Sequence, residues 1–188
     1  MGHVVLFHSA YGLRPAVVTA ADRLRAAGHH VVTPDLYGAP AVDTIEAAFA
    51  LLDQVGEVAV LGRARAALRE TPPDVVLAGF SMGAGVAGAL LAERPDAAAL
   101  LLLHGAGGAP EAVRPGLPVQ LHMADPDEYP PEPELGRWRR AMTGAGAELS
   151  VHRYPGVGHL YTDPDLPDHD PAATRQTWDR AIAFLDGR

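Results

Sequence analysis

Short apolar runs recur along this chain, separated by stretches whose hydrophobic positions repeat at helical spacing. Near-continuous hydrophobic runs at 4–7, 30–33, 75–78, 98–103, 119–123 and 149–153 predict six strands. Leu13, Val17, Ala21 and Leu24 fall on one helix face, as do Trp178, Ala181, Ile182 and Leu185. Segments 41–55, 58–70 and 132–143 also read as helical. Such alternation predicts an α/β fold, a mostly parallel sheet with helices on both faces and right-handed crossovers. Strands that are apolar throughout, rather than at every second residue, are what a doubly covered sheet requires. No repeat, long linker or shift of composition divides the chain, so we expect a single domain over 1–188. Pro72-Pro73 marks the loop before the third strand, and the Gly/Pro-rich 105–118 connection is too short to fold as a lid.

In sheets of this kind the working groups collect at the carboxyl ends of the strands. There this chain places His8-Ser9-Ala10-Tyr11-Gly12, Asp35-Leu36-Tyr37-Gly38, Ser81, His104, Asp125-Pro126-Asp127-Glu128 and Gly156-Val157-Gly158-His159. The third strand end is the most informative. Gly79-Phe80-Ser81-Met82-Gly83 follows a buried run and precedes a small-residue helix, the pattern of a nucleophile elbow. The turn holds the serine in a strained conformation that lifts its hydroxyl above the sheet, and a side chain at either flanking position would collide with a neighbouring element. The chain has 20 glycines in 188 residues and serine only at positions 9, 81 and 150. Chance would supply about 0.03 such matches per chain, even without the strand and helix context.

Composition narrows the chemistry. With no cysteine, thiol nucleophiles, disulfides and thiolate metal sites are absent. All 15 basic residues are arginine, which removes Schiff bases, the P-loop lysine and a Ser–Lys dyad. A net charge of -8 without a basic stripe argues against a nucleic-acid partner. No apolar run reaches membrane-spanning length, Met1 leads directly into a strand pattern rather than a signal peptide, and Leu6 breaks the myristoylation pattern. We therefore expect a cytoplasmic protein without a membrane partner. Ser, His, Asp, Glu and Tyr are left to do the work.

A serine at its free pKa needs a base within reach, and that base needs a carboxylate to fix its tautomer. In this fold the partners follow in the order Ser, acid, His. Ser81, then Asp125 or Asp127, then His159 satisfies that order, each just after a predicted strand. The oxyanion hole would use the N–H of Met82, the residue after the nucleophile, and one from the loop after the first strand.

Several of these pieces together resemble the dienelactone hydrolase family, a small branch of the α/β-hydrolase superfamily. They are Tyr11-Gly12, Pro34-Asp35-Leu36-Tyr37-Gly38, Gly79-Phe80-Ser81-Met82-Gly83, Leu121-His122 leading to Asp127, Tyr154-Pro155-Gly156 leading to His159, and a closing helix with Trp178. The resemblance covers nearly the whole length and implies a lidless hydrolase of small carboxylic esters or lactones that needs neither cofactor nor metal. It maps the acid to Asp127 and the second oxyanion donor to Ala10, with Tyr11 as the alternative. The family's nucleophile is commonly cysteine, where this chain has Ser81. A glutamate that governs the thiol in the cysteine enzymes falls at Ser9, and an arginine that holds a substrate carboxylate falls at Asp163, so dienelactone itself is not the expected substrate.

Other residues admit plainer readings. Tyr11, Tyr37 and His104 are candidates for substrate contact, with Tyr129 and Tyr161 as further pocket walls. Trp138 sits at helical spacing and is better explained by packing. His104 and His122 at strand ends, and His29-His30 at a helix-to-strand junction, more simply satisfy core hydrogen bonds or lie on the surface. The acidic segment 163–170 lacks the spacing and glycine of a calcium loop. Gly83-Ala84-Gly85-Val86-Ala87-Gly88 matches a dinucleotide fingerprint, but Phe80-Ser81-Met82 intervenes after the strand and the next strand ends in His104-Gly105, not an acid. Arg14 could attract an anionic substrate, and the short 105–117 connection suggests an open site that prefers short acyl chains. The rival class is a non-catalytic binding protein on the same fold, for which the loss of a Ser, Asp or His would be the expected mark.

Overall fold

A computed structural model describes residues 1–109 and 111–187; position 110, within the 105–118 connection, and position 188 lie outside the described residues. The elements run β1 (His3–Phe7), α1 (Pro15–Ala26), β2 (His30–Val32), α2 (Ile45–Val55), α3 (Glu57–Arg69), β3 (Val76–Phe80), α4 (Met82–Leu90), β4 (Ala99–Leu103), β5 (Pro118–Asp125), α5 (Glu132–Gly144), β6 (Glu148–Pro155) and α6 (Pro171–Asp186). The six strands form one sheet in the order β2-β1-β3-β4-β5-β6, every pair parallel. This is the α/β architecture expected from the alternation of runs. Among the described residues no helix is long and apolar enough to cross a membrane.

Side chains of a strand alternate between faces, so each apolar run feeds two cores. Val4 and Leu6 of β1 join Val76 and Ala78 of β3 against Val17, Ala21 and Leu24 of α1 and Trp178, Ala181 and Leu185 of α6. Val5 and Phe7 join Leu77, Leu100 and Leu102 on the other face, against Val60 and Ala64 of α3, Ala87 and Leu90 of α4, and Leu135, Trp138 and Met142 of α5. Trp138 is thus a packing residue. The helix ends follow sequence signals: Pro15 and Pro171 stand in first turns, and Asp170 and Thr44 accept hydrogen bonds from Ala173 N–H and Ala47 N–H. α2 differs from its neighbours. It is apolar, yet Ala48 is its only fully buried residue.

Three differences from the sequence reading have physical causes. β3 continues through Gly79-Phe80 to the brink of Ser81, because both residues keep the register with β4. β5 and β6 extend to Asp125 and Pro155, paired along their whole length, so polar ends that read as loop belong to the ladder. His29 is buried rather than on the surface, 3.6 Å from Asp186, while His30 remains exposed and stacks on His3.

The glycines of α4 divide sharply. A Cβ on Gly83 would overlap the carbonyl oxygen of Phe7, whereas one on Gly85 would meet nothing within 4 Å. Gly83→Ala is therefore expected to destabilise the fold by about 3 kcal/mol through overpacking against backbone. Gly85→Ala is expected to be neutral, or to stabilise by up to about 1 kcal/mol through helix propensity. Denaturant melts of the two variants check this; equal losses would refute the packing argument.

Candidate active site

Ser81 occupies the turn between β3 and α4 with φ 49° and ψ -109°, a positive-φ conformation that a non-glycine residue adopts only under constraint. The constraint is visible. Ser81 N–H donates to the Leu103 carbonyl at 2.7 Å, and α4 leaves so closely that a Cβ on Gly79 would overlap the Gly83 carbonyl. The hydroxyl meets His159 Nε2 at 2.9 Å. On the other side of the imidazole, Nδ1 lies 2.8 Å from Asp127 Oδ1 and 3.1 Å from Oδ2. An ionised carboxylate only accepts, so Nδ1 carries the ring proton and Nε2 is left to accept from Ser81. Asp127 Oδ1 also accepts from Tyr129 N–H at 2.9 Å, and its side chain is fully shielded from solvent. Asp125 points elsewhere, to the Arg153 guanidinium at 2.9 Å. The two acids left open by chain order are thus separated by geometry.

The cavity above Ser81 measures about 280 Å³ and is lined by Ser9, Ala10, Tyr11, Ile45, Phe49, Leu52, Ser81, Met82, Tyr129, His159 and Leu160. It is walled mainly by apolar groups, and among the described residues none of its walls is a cation. Met82 N–H stands at the start of α4, where the helix dipole favours negative charge. Of the two candidates after β1, Tyr11 N–H already approaches Ser9 Oγ at 3.3 Å, whereas no hydrogen bond engages Ala10 N–H among the described residues.

The remaining candidates divide. Tyr11 lines the cavity, as does Tyr129, whose ring stands edge-on to His159. Tyr37 does not line it: the ring is buried, and the hydroxyl donates to the Ala10 carbonyl at 3.0 Å and approaches Met82 Sδ at 3.2 Å. Burial pushes its pKa up to about 12, so the hydroxyl keeps its proton. His104 is likewise out of reach of a substrate. It is fully buried with φ 61°, its Nε2 is 2.6 Å from Thr162 Oγ1, and desolvation holds its pKa well below the usual value. His122 is buried between Gln120 and Tyr154, and desolvation lowers its pKa to about 3. Tyr161 is a core residue bonded to Thr177. Arg14 is no free cation, being buried with Nε 2.7 Å from Asp163 and Nη1 2.8 Å from Asp43. Among the described residues no cluster of three or more His, Asp or Glu is arranged to hold a metal ion.

Two features escaped the sequence reading. Asp168 accepts from Leu160 N–H at 2.9 Å and packs where a Gly158 side chain would stand, so it fixes the loop that carries His159. Ile45, Phe49 and Leu52 of α2 form the roof of the cavity. Their spacing of four and three residues was a legible signal, but it is equally the spacing of a core-facing stripe.

Known proteins agree with this architecture. A carboxymethylenebutenolidase of Rhodococcus opacus is 25% identical over 204 residues, covering 97% of this chain and 80% of that protein. The crystal structure of a dienelactone hydrolase-like promiscuous phosphotriesterase from metagenomic libraries superposes with a TM-score of 0.81 at 21% identity, over 99% of this chain and 86% of that one. A candidate dienelactone hydrolase from Klebsiella pneumoniae gives 0.77 at 18% identity, over 100% and 88%. The dienelactone hydrolase family profile matches residues 2–187. With a match of that extent, this chain belongs to the dienelactone hydrolase family and is a hydrolase acting on ester bonds.

Proposed function

We propose that the chain hydrolyses small carboxylic esters or lactones through an acyl-serine intermediate, with Ser81 as nucleophile, His159 as general base and acid, and Asp127 as the carboxylate that orients it. The observation that carries the reading is the continuous relay from Ser81 Oγ through the imidazole to the shielded Asp127 carboxylate, at 2.9 and 2.8 Å. Ser81 Oγ attacks the ester carbonyl carbon while its proton passes to His159 Nε2. The carbonyl oxygen, now negative, lies between the N–H groups of Met82 and Ala10; such donors each contribute roughly 3–4 kcal/mol to transition-state stabilisation. Collapse expels the alkoxide, which takes the proton from Nε2, and the acyl group stays on Oγ. In a lactone the alkoxide remains tethered to that acyl group. Water then attacks with His159 again as base, releasing the acid and restoring Ser81.

The cavity walls support a neutral substrate. By the family resemblance, Ser9 and Asp163 fall where a cysteine enzyme would have its glutamate and an arginine, and Asp163 is committed to Arg14. Among the described residues a substrate carboxylate would find no cation on the cavity wall. Dienelactone is therefore a poor fit, and an uncharged ester a good one.

Intact-mass labelling with a fluorophosphonate tests the nucleophile. One adduct is expected on the native chain and none on Ser81→Ala. A native chain that stays unlabelled, and shows neither burst nor turnover with activated esters, would overturn the reading in favour of a binding protein on the same fold.

A further inference from the structure

A second apolar cavity, of about 650 Å³, runs beside the one that holds Ser81. Leu52 and Met82 line both, so the two are neighbours across a partition of two side chains. From Met82 the larger cavity follows one face of α4 along Gly85, Val86 and Ala89, at offsets of three, four and seven residues. Its opposite wall is Val60 and Leu61 of α3, beneath the Gly56 turn between α2 and α3. The space beside Gly85 is open, since a Cβ there would meet nothing within 4 Å. Among the described residues the cavity's only ionisable walls are Asp53 and Glu57, both exposed.

We infer that this groove is an acyl-chain subsite and that the preferred substrates are esters of unbranched, medium-length, uncharged carboxylic acids. The inference rests on the acyl-serine reading of Ser81, which fixes the direction of the chain. The leaving oxygen must take its proton from His159, so the alcohol lies on the His159 and Tyr129 side of the cavity. The carbonyl oxygen points at Met82 N–H, and the acyl chain leaves on the remaining side, toward Met82 and Leu52. The partition can yield there, because methionine is unbranched and adaptable, and Met82 is only partly buried against the core, with its sulfur accepting from the Tyr37 hydroxyl. A chain laid along α4 covers apolar wall on both sides, and the two carboxylates disfavour a negative charge at its far end. This revises the expectation of a short-chain preference. That expectation took the short 105–117 connection to leave the site open, whereas α2 supplies walls to both cavities and Gly108 of the connection itself lines the groove.

The test is kcat/KM for p-nitrophenyl acetate, butanoate and octanoate, and for the p-nitrophenyl monoester of octanedioic acid, with fluorophosphonate labelling of Ser81 alongside. Octanoate is expected to exceed acetate about tenfold or more, and the octanedioate monoester to fall at least about tenfold below octanoate. Gly85→Leu fills the groove near its entrance and favours the helix, so the octanoate-to-acetate ratio should drop about tenfold or more. Ala89→Trp, one turn farther along, should penalise octanoate but spare butanoate. A labelled Ser81 with kcat/KM falling steadily from acetate, or a ratio indifferent to Gly85→Leu, would overturn the subsite and leave the hydrolase standing. An unlabelled Ser81 with no ester turned over would bring down both.

Discussion

Ser81→Ala is expected to lower kcat toward activated esters by about 10⁵- to 10⁶-fold, leaving a residue of activity above the uncatalysed rate. The relay is a unit: without Oγ, His159 has nothing to activate, and what survives is the oxyanion hole and the bound orientation. The substitution is structurally mild. Alanine keeps the Cβ that the turn already accommodates, and the bonds that hold φ at 49° are made by the backbone, through Ser81 N–H and the Leu103 carbonyl. Far-ultraviolet circular dichroism and the denaturation midpoint should therefore match the native chain. A folded Ser81→Ala protein retaining more than about a tenth of native kcat would remove Ser81 from the mechanism.

The sharper test compares two neighbouring acids. Asp127→Asn is expected to reduce kcat by about 10⁴-fold, because an amide that donates to Nδ1 forces the ring proton onto Nε2, where it can no longer accept from serine. Asp125→Asn should leave kcat within about threefold of native. Its carboxylate is partly exposed and paired with Arg153, a surface bridge of the kind that contributes about 0–1 kcal/mol. Steady-state assays of both variants at neutral pH decide it. If the losses were reversed, the orientation of His159 would have to come from Asp125.

Much of this was legible in the chain. The α/β class followed from apolar runs alternating with helical stripes, and the elbow from two glycines around one serine in a chain that has few serines. Order alone could not separate Asp125 from Asp127. Both end the same strand, and which one turns toward His159 depends on the loop beyond it, where Asp127 also captures Tyr129 N–H. Arg14 misled for a related reason. A cation at a helix mouth looks available until Asp43 and Asp163, brought in from 29 and 149 residues away, bury it. Tyr37 and His104 stand at strand ends as expected but face inward, because residues there choose between cavity and core by backbone angles that a sequence does not display. The roof was hidden differently. Ile45, Phe49 and Leu52 look like core, and only the shallow seating of α2 shows that they line the cavity above Ser81.

That shallow seating divides labour within the molecule. Ser81, Asp127 and His159 follow the carboxyl ends of β3, β5 and β6, the first two inside the sheet and the last at its edge, all tied into one parallel ladder. The surface that meets the substrate from above belongs to one helix that contributes a single fully buried residue to the rest of the protein. Reactivity and selectivity are thus carried by different layers: Ile45 and Phe49 are exposed and can drift in sequence at little cost to the fold, whereas Ala48 is buried and Leu51, Leu52 and Val55 also pack on the core. The same chemistry can in this way be readdressed to new esters by rewriting the two exposed wall positions, Ile45 and Phe49.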